Sequence, residues 1–198
     1  MILIPDINKQ GSDWCAYWED FLTDQEINTL LNHSAWNELT EAEIGGSSDN
    51  QVINKDIRRT GVGWIYHEQQ LSHIFEKLAM AISVVNEKYF GFDLSCIEEA
   101  IQLGLYTESN NGYYDWHTDS APQDKFHPRK LSMVLMLSDP SDYEGGELQI
   151  KVSSKEQTLE TKKGRAWFFP SYVLHRVAPV TKGIRKTAVI WVTGKPFK

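Results

Sequence analysis

The stretch Phe168–Val192, FFPSYVLHRVAPVTKGIRKTAVIWV, contains two β-prone runs separated by the turn signal VTKG. The first run holds His175, and the second begins at Arg185. Because the turn reverses the chain, Arg185 is predicted to return close to His175 on an adjacent antiparallel strand. Successive strand residues point to opposite faces of a sheet. One face of the second run is therefore predicted to carry Arg185, Thr187, Val189 and Trp191.

Similar β-prone runs fill the chain after residue 98, namely AIQLGLY, KLSMVLML, ELQIKV and RAWFFP, with turn signals such as ESNNG and DPSDYEGG between them. Many short strands at this spacing favour an antiparallel sandwich or barrel over a βαβ sheet. Two segments, MVLML and AVIWV, are apolar on both faces. A sandwich strand buries only one face, so another element must cover the outer one.

The amino-terminal half supplies two helices that can provide this cover. Thr23 and Glu26 have the spacing of a capping box and begin the first helix. The second spans EQQLSHIFEKLAMAISVVNEKYFG, and Gly91 is its predicted stop. We therefore predict one α+β domain over residues 1–198, in which helices within 20–92 pack on one sheet of a jelly-roll barrel at about 99–194.

Composition and charge limit the classes of function. With 41% hydrophobic residues the chain is predicted to fold, and its net charge of −7 argues against a broad phosphate-binding surface, leaving only a local basic cleft. The amino-terminal residues MILIPDINKQ are not predicted to be a signal peptide, and no run is long enough to cross a membrane. Cys15 and Cys96 match no metal or redox spacing, which indicates buried free thiols in a cytoplasmic protein.

The stretch Asn111–Pro122, NGYYDWHTDSAP, carries a candidate metal site. On a strand, His117 and Asp119 point to the same face, and His175 adds a second imidazole. Two histidines and one carboxylate are the ligands of non-haem Fe(II) oxygenases. A zinc hydrolase can use the same three residues, but it has no need of Arg185, and the chain has no HExxH helix. A non-enzymatic sandwich, binding a metal, a carbohydrate or a protein, is the other alternative.

The spacing His117-x-Asp119, the position of His175 ten residues before Arg185, and the segment YEGGEL between them resemble Fe(II)/2-oxoglutarate dioxygenases. The most similar branch is that of the prolyl 4-hydroxylases, and the likeness runs from about Glu99 to Gly194. It implies a double-stranded β-helix of the jelly-roll or cupin type that uses Fe(II), 2-oxoglutarate and O₂, with ascorbate in support. It also implies hydroxylation of an aliphatic C–H, in a peptidyl proline, with release of succinate and CO₂. A free amino acid or another small molecule is the alternative substrate.

The resemblance also assigns roles to residues. It implies that His117, Asp119 and His175 hold iron and that Arg185 binds the distal carboxylate of 2-oxoglutarate. The pocket aromatics that it implies are Tyr106, Tyr114 and Trp191. Some members have a helper tyrosine for the distal carboxylate in the strand KLSMVLML, where this chain is predicted to have Leu135 instead.

Related families differ at two of these positions. Nucleic-acid demethylases of the superfamily carry a second arginine where this chain has Trp191, and halogenases replace the metal carboxylate that Asp119 supplies. We therefore expect no nucleic-acid partner. We interpret Arg58–Arg59 as an exposed basic pair beside a strand, with a substrate rim as the alternative. Residues 43–52 and 120–130, the latter containing His127, are predicted loops.

Overall fold

The computed structural model describes residues 11–12, 14–42, 53–120 and 128–196. The predicted loop at 43–52 lies outside these described residues, and so does His127 in the predicted loop at 120–130.

Both predicted helices are present. Helix α1 spans Asp24–Leu31 and helix α2 spans Ser72–Val85, continued by a π-helical turn at Asn86–Phe90. Thr23 and Glu26 form the predicted capping box, and the Glu26 carboxylate also accepts a hydrogen bond from Lys77 Nζ at 2.8 Å. Glu26, the second residue of the capping box, thus also links the two helices through an ion pair. Gly91, with φ of 67°, ends the second helix as predicted, because a left-handed backbone favours glycine.

Short 3-10 turns occupy Ser34–Asn37, Gln69–Leu71, Glu108–Asn110 and Pro140–Asp142. The strands of the described residues, numbered β1 to β15 in chain order, are Gly11–Ser12, Cys15–Trp18, Thr40–Glu41, Arg58–Arg59, Gly61–Ile65, Leu94–Cys96, Ile101–Thr107, Tyr113–His117, Arg129–Met136, Tyr143–Gly145, Leu148–Val152, Lys155–Leu159, Ala166–Pro170, Leu174–Val177 and Val180–Gly194.

These strands form two antiparallel sheets. The major sheet has the order β1-β2-β13-β9-β15-β7-β5-β3, with β6 and β10 also pairing with β15, and the minor sheet has the order β12-β11-β14-β8-β4. Together they build the predicted double-stranded β-helix. Strands β2, β4 and β5 join the sheets although they precede the predicted barrel core. They are short, and short strands carry weak sequence signals.

Strand β9 shows why two strands are apolar on both faces. Leu131, Met133 and Leu135 belong to the core that the helices α1 and α2 share with the outer face of the major sheet. Val134 and Met136 point the other way, into a second core between the two sheets. The prediction that the amino-terminal helices cover one sheet is therefore confirmed.

The predicted pairing of the His175 and Arg185 strands is wrong. Strand β14, which holds His175, pairs with β8 and β11 in the minor sheet, whereas β15 belongs to the major sheet and runs through the predicted turn VTKG. The chain crosses between the sheets at Ala178–Pro179, where proline has no N–H with which to continue a ladder. His175 and Arg185 consequently belong to different sheets of the barrel.

The prediction that both cysteine thiols are buried is correct for Cys15 and wrong for Cys96. Cys15 is buried in β2, but Cys96 is exposed, because it lies on the short strand β6 that pairs only with the end of β15. Neither cysteine forms a disulfide. Among the described residues, the helices are too short or too polar to cross a membrane.

We expect Thr23→Ala to lower the free energy of unfolding by about 1 kcal/mol, because it removes the side chain that caps α1. Urea denaturation measures this loss. The matched control is Thr29→Ala, since Thr29 is exposed within the same helix and alanine is the better helix former. Equal losses in the two variants would contradict a specific role for the cap.

Candidate metal centre

The three predicted ligands converge between the sheets. His117 is the last residue of β8 and is paired with His175 of β14, while Asp119 follows just beyond the end of β8. His117 Nε2 lies 3.6 Å from Asp119 Oδ1, and His175 Nε2 lies 3.5 Å from Asp119 Oδ2. One ligand atom from each residue falls within 4.8 Å of the others, so the three can hold one metal ion.

Backbone carbonyls orient both imidazoles. His117 Nδ1 lies 2.7 Å from the Asp115 carbonyl oxygen, and His175 Nδ1 lies 2.9 Å from that of Val173. A carbonyl only accepts hydrogen bonds, so each Nδ1 carries the proton and donates it. Each Nε2 then presents its lone pair toward the Asp119 carboxylate, which is the arrangement of metal-binding histidines.

Two serines fix Asp119 outside the regular strand. The Ser132 hydroxyl donates to Asp119 Oδ2 at 2.6 Å and lies 2.9 Å from the Ser171 hydroxyl. The backbone N–H of Asp119 donates to the Ser171 carbonyl at 2.8 Å. Ser132 and Ser171 are fully buried. They hold the carboxylate at a position that strand geometry alone does not define.

The charges of the cluster suit a divalent cation. Burial, with His175 alongside, lowers the pKa of His117 to about 3, so this ring is neutral at neutral pH. Burial by itself would raise the pKa of Asp119, but His175, His117 and the Ser132 hydroxyl outweigh it and lower that pKa to about 2. A carboxylate beside imidazole nitrogens is the donor set of Fe(II) sites with open positions. The residues present therefore fit the iron that the sequence predicts.

Arg185 lies in the same pocket, lined also by Tyr106. It is 1% exposed, and among the described residues its Nε and Nη1 have no hydrogen-bond partner, while Nη2 donates to Met136 Sδ at 3.7 Å. Its guanidinium lies 5.1 Å from the centre of the Tyr106 ring. A buried cation without an anion is unfavourable, so this side chain is suited to receive an anionic ligand.

The segment YEGGEL has a structural explanation. Gly146 has φ of 67°, and a Cβ there would come within 2.9 Å of Arg185 Cδ. A Cβ on Gly145 would meet the Pro179 carbonyl oxygen at 2.2 Å. These glycines therefore let the chain pass close to the arginine stem and to the crossover between the sheets.

The three predicted pocket aromatics all line this pocket. Tyr114 stacks on the His117 ring with centroids 3.4 Å apart, and burial raises its pKa to about 12. Trp191 packs under the Arg129 guanidinium at 3.8 Å. Its buried indole N–H makes no hydrogen bond of standard geometry, yet it lies near enough to Asp119 to help lower the pKa of that carboxyl.

The predicted correspondence of Leu135 with a pocket position is wrong. Leu135 belongs to the core under the helices, whereas Val134 lines the metal pocket and Met136 contacts Arg185. Neighbouring residues of a strand point to opposite faces, so a register shift of one residue exchanges the two faces. At the positions of β9 that face the pocket, this chain has Val134 and Met136.

Sequence reasoning missed Arg58 and Gln102. The prediction that Arg58 is exposed is wrong: it is 9% exposed and lines the metal pocket together with Gln102. The two-residue periodicity of this segment indicates the burial. Arg58 precedes Thr60 and Val62 at alternate positions, which face the same side of a strand, and both of these residues are buried. Arg59, by contrast, is only half-buried and stacks on Tyr113.

With this geometry established, comparison with known proteins identifies relatives. A family model described as the 2OG-Fe(II) oxygenase superfamily matches residues 101–193. A PKHD-type hydroxylase of Synechococcus sp. strain CC9902 is 40% identical over 180 residues, which cover 87% of this chain and 77% of the relative. The match to a PKHD-type hydroxylase of another Synechococcus strain is 45% identical but covers only 41% of that relative.

Solved structures share the fold at low sequence identity. A prolyl-4-hydroxylase from Pseudomonas putida superposes with a TM-score of 0.69 at 20% identity, covering 92% of this chain and 93% of that one. A prolyl hydroxylase from Trichoplax adhaerens, in complex with a peptide fragment of the hypoxia inducible factor oxygen degradation domain, gives 0.74 at 18% identity, covering 95% and 87%.

We expect Ser132→Ala to weaken divalent-metal binding by about ten- to a hundredfold, because it removes the donor that holds Asp119 Oδ2. Calorimetric titration with Co(II) measures the affinity without requiring turnover. Ser83→Ala, an exposed serine of α2, is the control that should leave the affinity unchanged. A folded Ser132→Ala protein with wild-type Co(II) affinity would remove the serine from the metal site.

Proposed function

Because the chain belongs to the 2OG-Fe(II) oxygenase superfamily, among the PKHD-type hydroxylases, we propose that it hydroxylates an aliphatic C–H of a prolyl-containing peptide and releases succinate and CO₂. In this proposal His117, Asp119 and His175 hold Fe(II), and Arg185 binds the distal carboxylate of 2-oxoglutarate. We also propose that residues 1–198 act as one domain in the cytoplasm, with ascorbate supporting turnover.

One observation carries the proposal. Arg185, which is buried and has no anionic partner among the described residues, lines the same pocket as the largely buried His-Asp-His cluster. A metal-binding module that only bound an ion would need the cluster but not Arg185. A dicarboxylate that binds the metal at one end requires a cation at the other, and Arg185 meets this requirement.

Bound Fe(II) with 2-oxoglutarate supplies the power to activate O₂ and hydroxylate a C–H bond. The residues of the chain bind and orient. Arg185 offers two unsatisfied guanidinium nitrogens to the distal carboxylate, and the Tyr106 ring lies against that guanidinium. The Tyr114 ring covers His117, and the apolar side chains of Val134 and Val189 line the pocket wall and limit water. Exclusion of water prevents competing reactions.

Two observations support a prolyl peptide as the substrate. The structural neighbour from Trichoplax adhaerens is bound to a peptide, and the neighbour from Pseudomonas putida is a prolyl-4-hydroxylase. The net charge of −7 and Trp191 at the position of a second arginine disfavour nucleic acid. A free amino acid or another small molecule is the alternative substrate, and a non-enzymatic metal-binding sandwich is the alternative function.

The test supplies the protein with Fe(II), 2-oxoglutarate, O₂ and ascorbate, together with proline-rich peptides, free amino acids or methylated oligonucleotides in parallel. We expect succinate to form and a peptide to gain one oxygen atom, as read by mass spectrometry. Asp119→Ala should abolish both products, because it removes a metal ligand. Full turnover by this variant would overturn the ligand assignment, and oxidation of the oligonucleotide alone would overturn the peptide assignment.

Arg185→Ala should raise the apparent constant for 2-oxoglutarate. A hydrogen bond to a charged group contributes about 1.5–3 kcal/mol, which corresponds to roughly a ten- to hundredfold change. Arg185→Lys should restore part of the affinity, as a point charge without the planar fork. The control is Arg176→Ala, which should leave the constant unchanged, because the Arg176 side chain donates to Gln149. An unchanged constant in Arg185→Ala would place the co-substrate elsewhere.

A further inference from the structure

We propose that Arg58, with Gln102 and Tyr114, forms a second anion-binding subsite, which receives a carboxylate of the primary substrate. This inference rests on the proposed function and narrows its substrate class. The favoured substrate is a peptide whose carboxyl-terminal residue is hydroxylated, or the corresponding free amino acid, rather than an internal residue of a chain.

Contacts with Tyr114 and Gln102 hold Arg58 in the pocket. It lies on the edge strand β4 of the minor sheet, where it pairs with Tyr114 of β8. Its guanidinium is 4.4 Å from the centre of the Tyr114 ring, which in turn stacks on the His117 ring. Its Nη2 donates to Gln102 Oε1 at 2.9 Å, which links the edge of the minor sheet to β7 of the major sheet. Arg58 therefore lies beside the metal cluster.

Among the described residues, the charge of Arg58 has no anionic counterpart. The side chain is nine-tenths buried, its Nε has no hydrogen-bond partner, and its one side-chain acceptor is the neutral amide of Gln102. Among the described residues, no carboxylate lies within ion-pair distance of it. Because an uncompensated buried cation is unfavourable, the Arg58 guanidinium is suited to bind an anionic ligand, as the Arg185 guanidinium is.

The two arginines mark different ends of the pocket. Arg185 is paired with Tyr106 on β7, whereas Gln102, the partner of Arg58, lies four residues earlier on that strand and is paired with Val189. The backbone positions of Gln102 and Tyr106 on β7 are therefore about 13 Å apart. The five-carbon backbone of 2-oxoglutarate is shorter than two extended residues, or about 7 Å. Because Arg58 contacts Gln102 and Tyr114 whereas Arg185 contacts Tyr106, we infer that a co-substrate held by Arg185 and the metal cluster leaves Arg58 for the other substrate.

The chemistry of the subsite favours a carboxylate. A guanidinium binds a carboxylate through two parallel hydrogen bonds, and the aromatic face of Tyr114 supports the plane of the fork. An internal peptide residue would offer an amide carbonyl at the same place, which carries no charge to balance Arg58. A terminal or free carboxylate balances it, and this is why we infer a substrate with the acid close to the target carbon.

The experiment is a binding titration that needs no turnover. The protein is loaded with Ni(II) and 2-oxoglutarate, and the tripeptide Ala-Ala-Pro, its carboxyl-terminal amide, L-proline and L-prolinamide are titrated by calorimetry. We expect each acid to bind about ten- to a hundredfold more tightly than its amide, the range for a hydrogen bond to a charged group. Equal affinity for acid and amide, or no binding of either acid, would overturn the subsite.

Variants test whether Arg58 causes the preference for acids over amides. Arg58→Gln should abolish the preference for the acids, Arg58→Lys should retain part of it, and Arg59→Gln should leave it intact, because Arg59 stacks on Tyr113 and donates to the Lys55 carbonyl. Binding of 2-oxoglutarate is titrated separately for each variant. A loss in Arg58→Gln that falls on 2-oxoglutarate instead of the acids would assign Arg58 to the co-substrate site.

The outcomes for this subsite and for the proposed function are separable. If the wild-type protein prefers the acids, Arg58→Gln abolishes that preference, and the protein neither binds nor consumes 2-oxoglutarate, the subsite stands and the oxygenase function fails. If it consumes 2-oxoglutarate but binds acids and amides equally, the function stands and the subsite fails. Because the comparison of acids with amides uses the wild-type protein, it holds even if Arg58→Gln does not fold.

Discussion

The burial of positive charge between the two sheets is the constraint on which the rest of this structure depends. Arg185 is almost completely buried, and among the described residues two of its guanidinium nitrogens and one of Arg58 have no hydrogen-bond partner. A core that existed only for stability would replace such side chains with apolar ones, because desolvation of an unpaired cation is unfavourable. Their presence beside a carboxylate and two imidazoles indicates that the interior is arranged around anionic ligands.

The fold tolerates this polar interior because apolar packing is concentrated elsewhere. The outer face of the major sheet and the two helices share a core that includes Ile74, Leu78, Leu131 and Phe168. The same strands present their alternate residues to the pocket. One set of strands thus supplies both the apolar core and the walls of the site, since alternate side chains point to opposite faces. Rigid strands hold the polar groups in place at the pocket.

The candidate metal ligands depend on groups that no ligand pattern contains. Two backbone carbonyls set the tautomers of the imidazoles, and the Ser132 and Ser171 hydroxyls hold the carboxylate after its strand has ended. Such groups orient the ligands and tune their basicity. They come from β8, from β9, from the turn after β13 and from the loop around Val173, so the geometry of the centre is a property of the assembled sheets.

The sequence by itself determined the local elements and the kinds of residue at the site. The capping box of Thr23 and Glu26, the stop at Gly91 and the strands apolar on both faces follow from chemistry within a few residues of the chain. The spacing of His117, Asp119, His175 and Arg185 was sufficient to predict the superfamily, and all four residues line one pocket.

Only the tertiary structure decided how these elements meet. It placed His175 and Arg185 on different sheets instead of neighbouring strands, because strand pairing depends on contacts distant in sequence. It turned Leu135 toward the helices and Val134 toward the pocket, since a shift of one residue exchanges the faces of a strand. It also buried Arg58, whose neighbours Gln102 and Tyr114 are 44 and 56 positions away in the sequence. The sequence determines the charge of a side chain, but whether that charge is exposed to water or buried in a pocket depends on which distant strands pack against it.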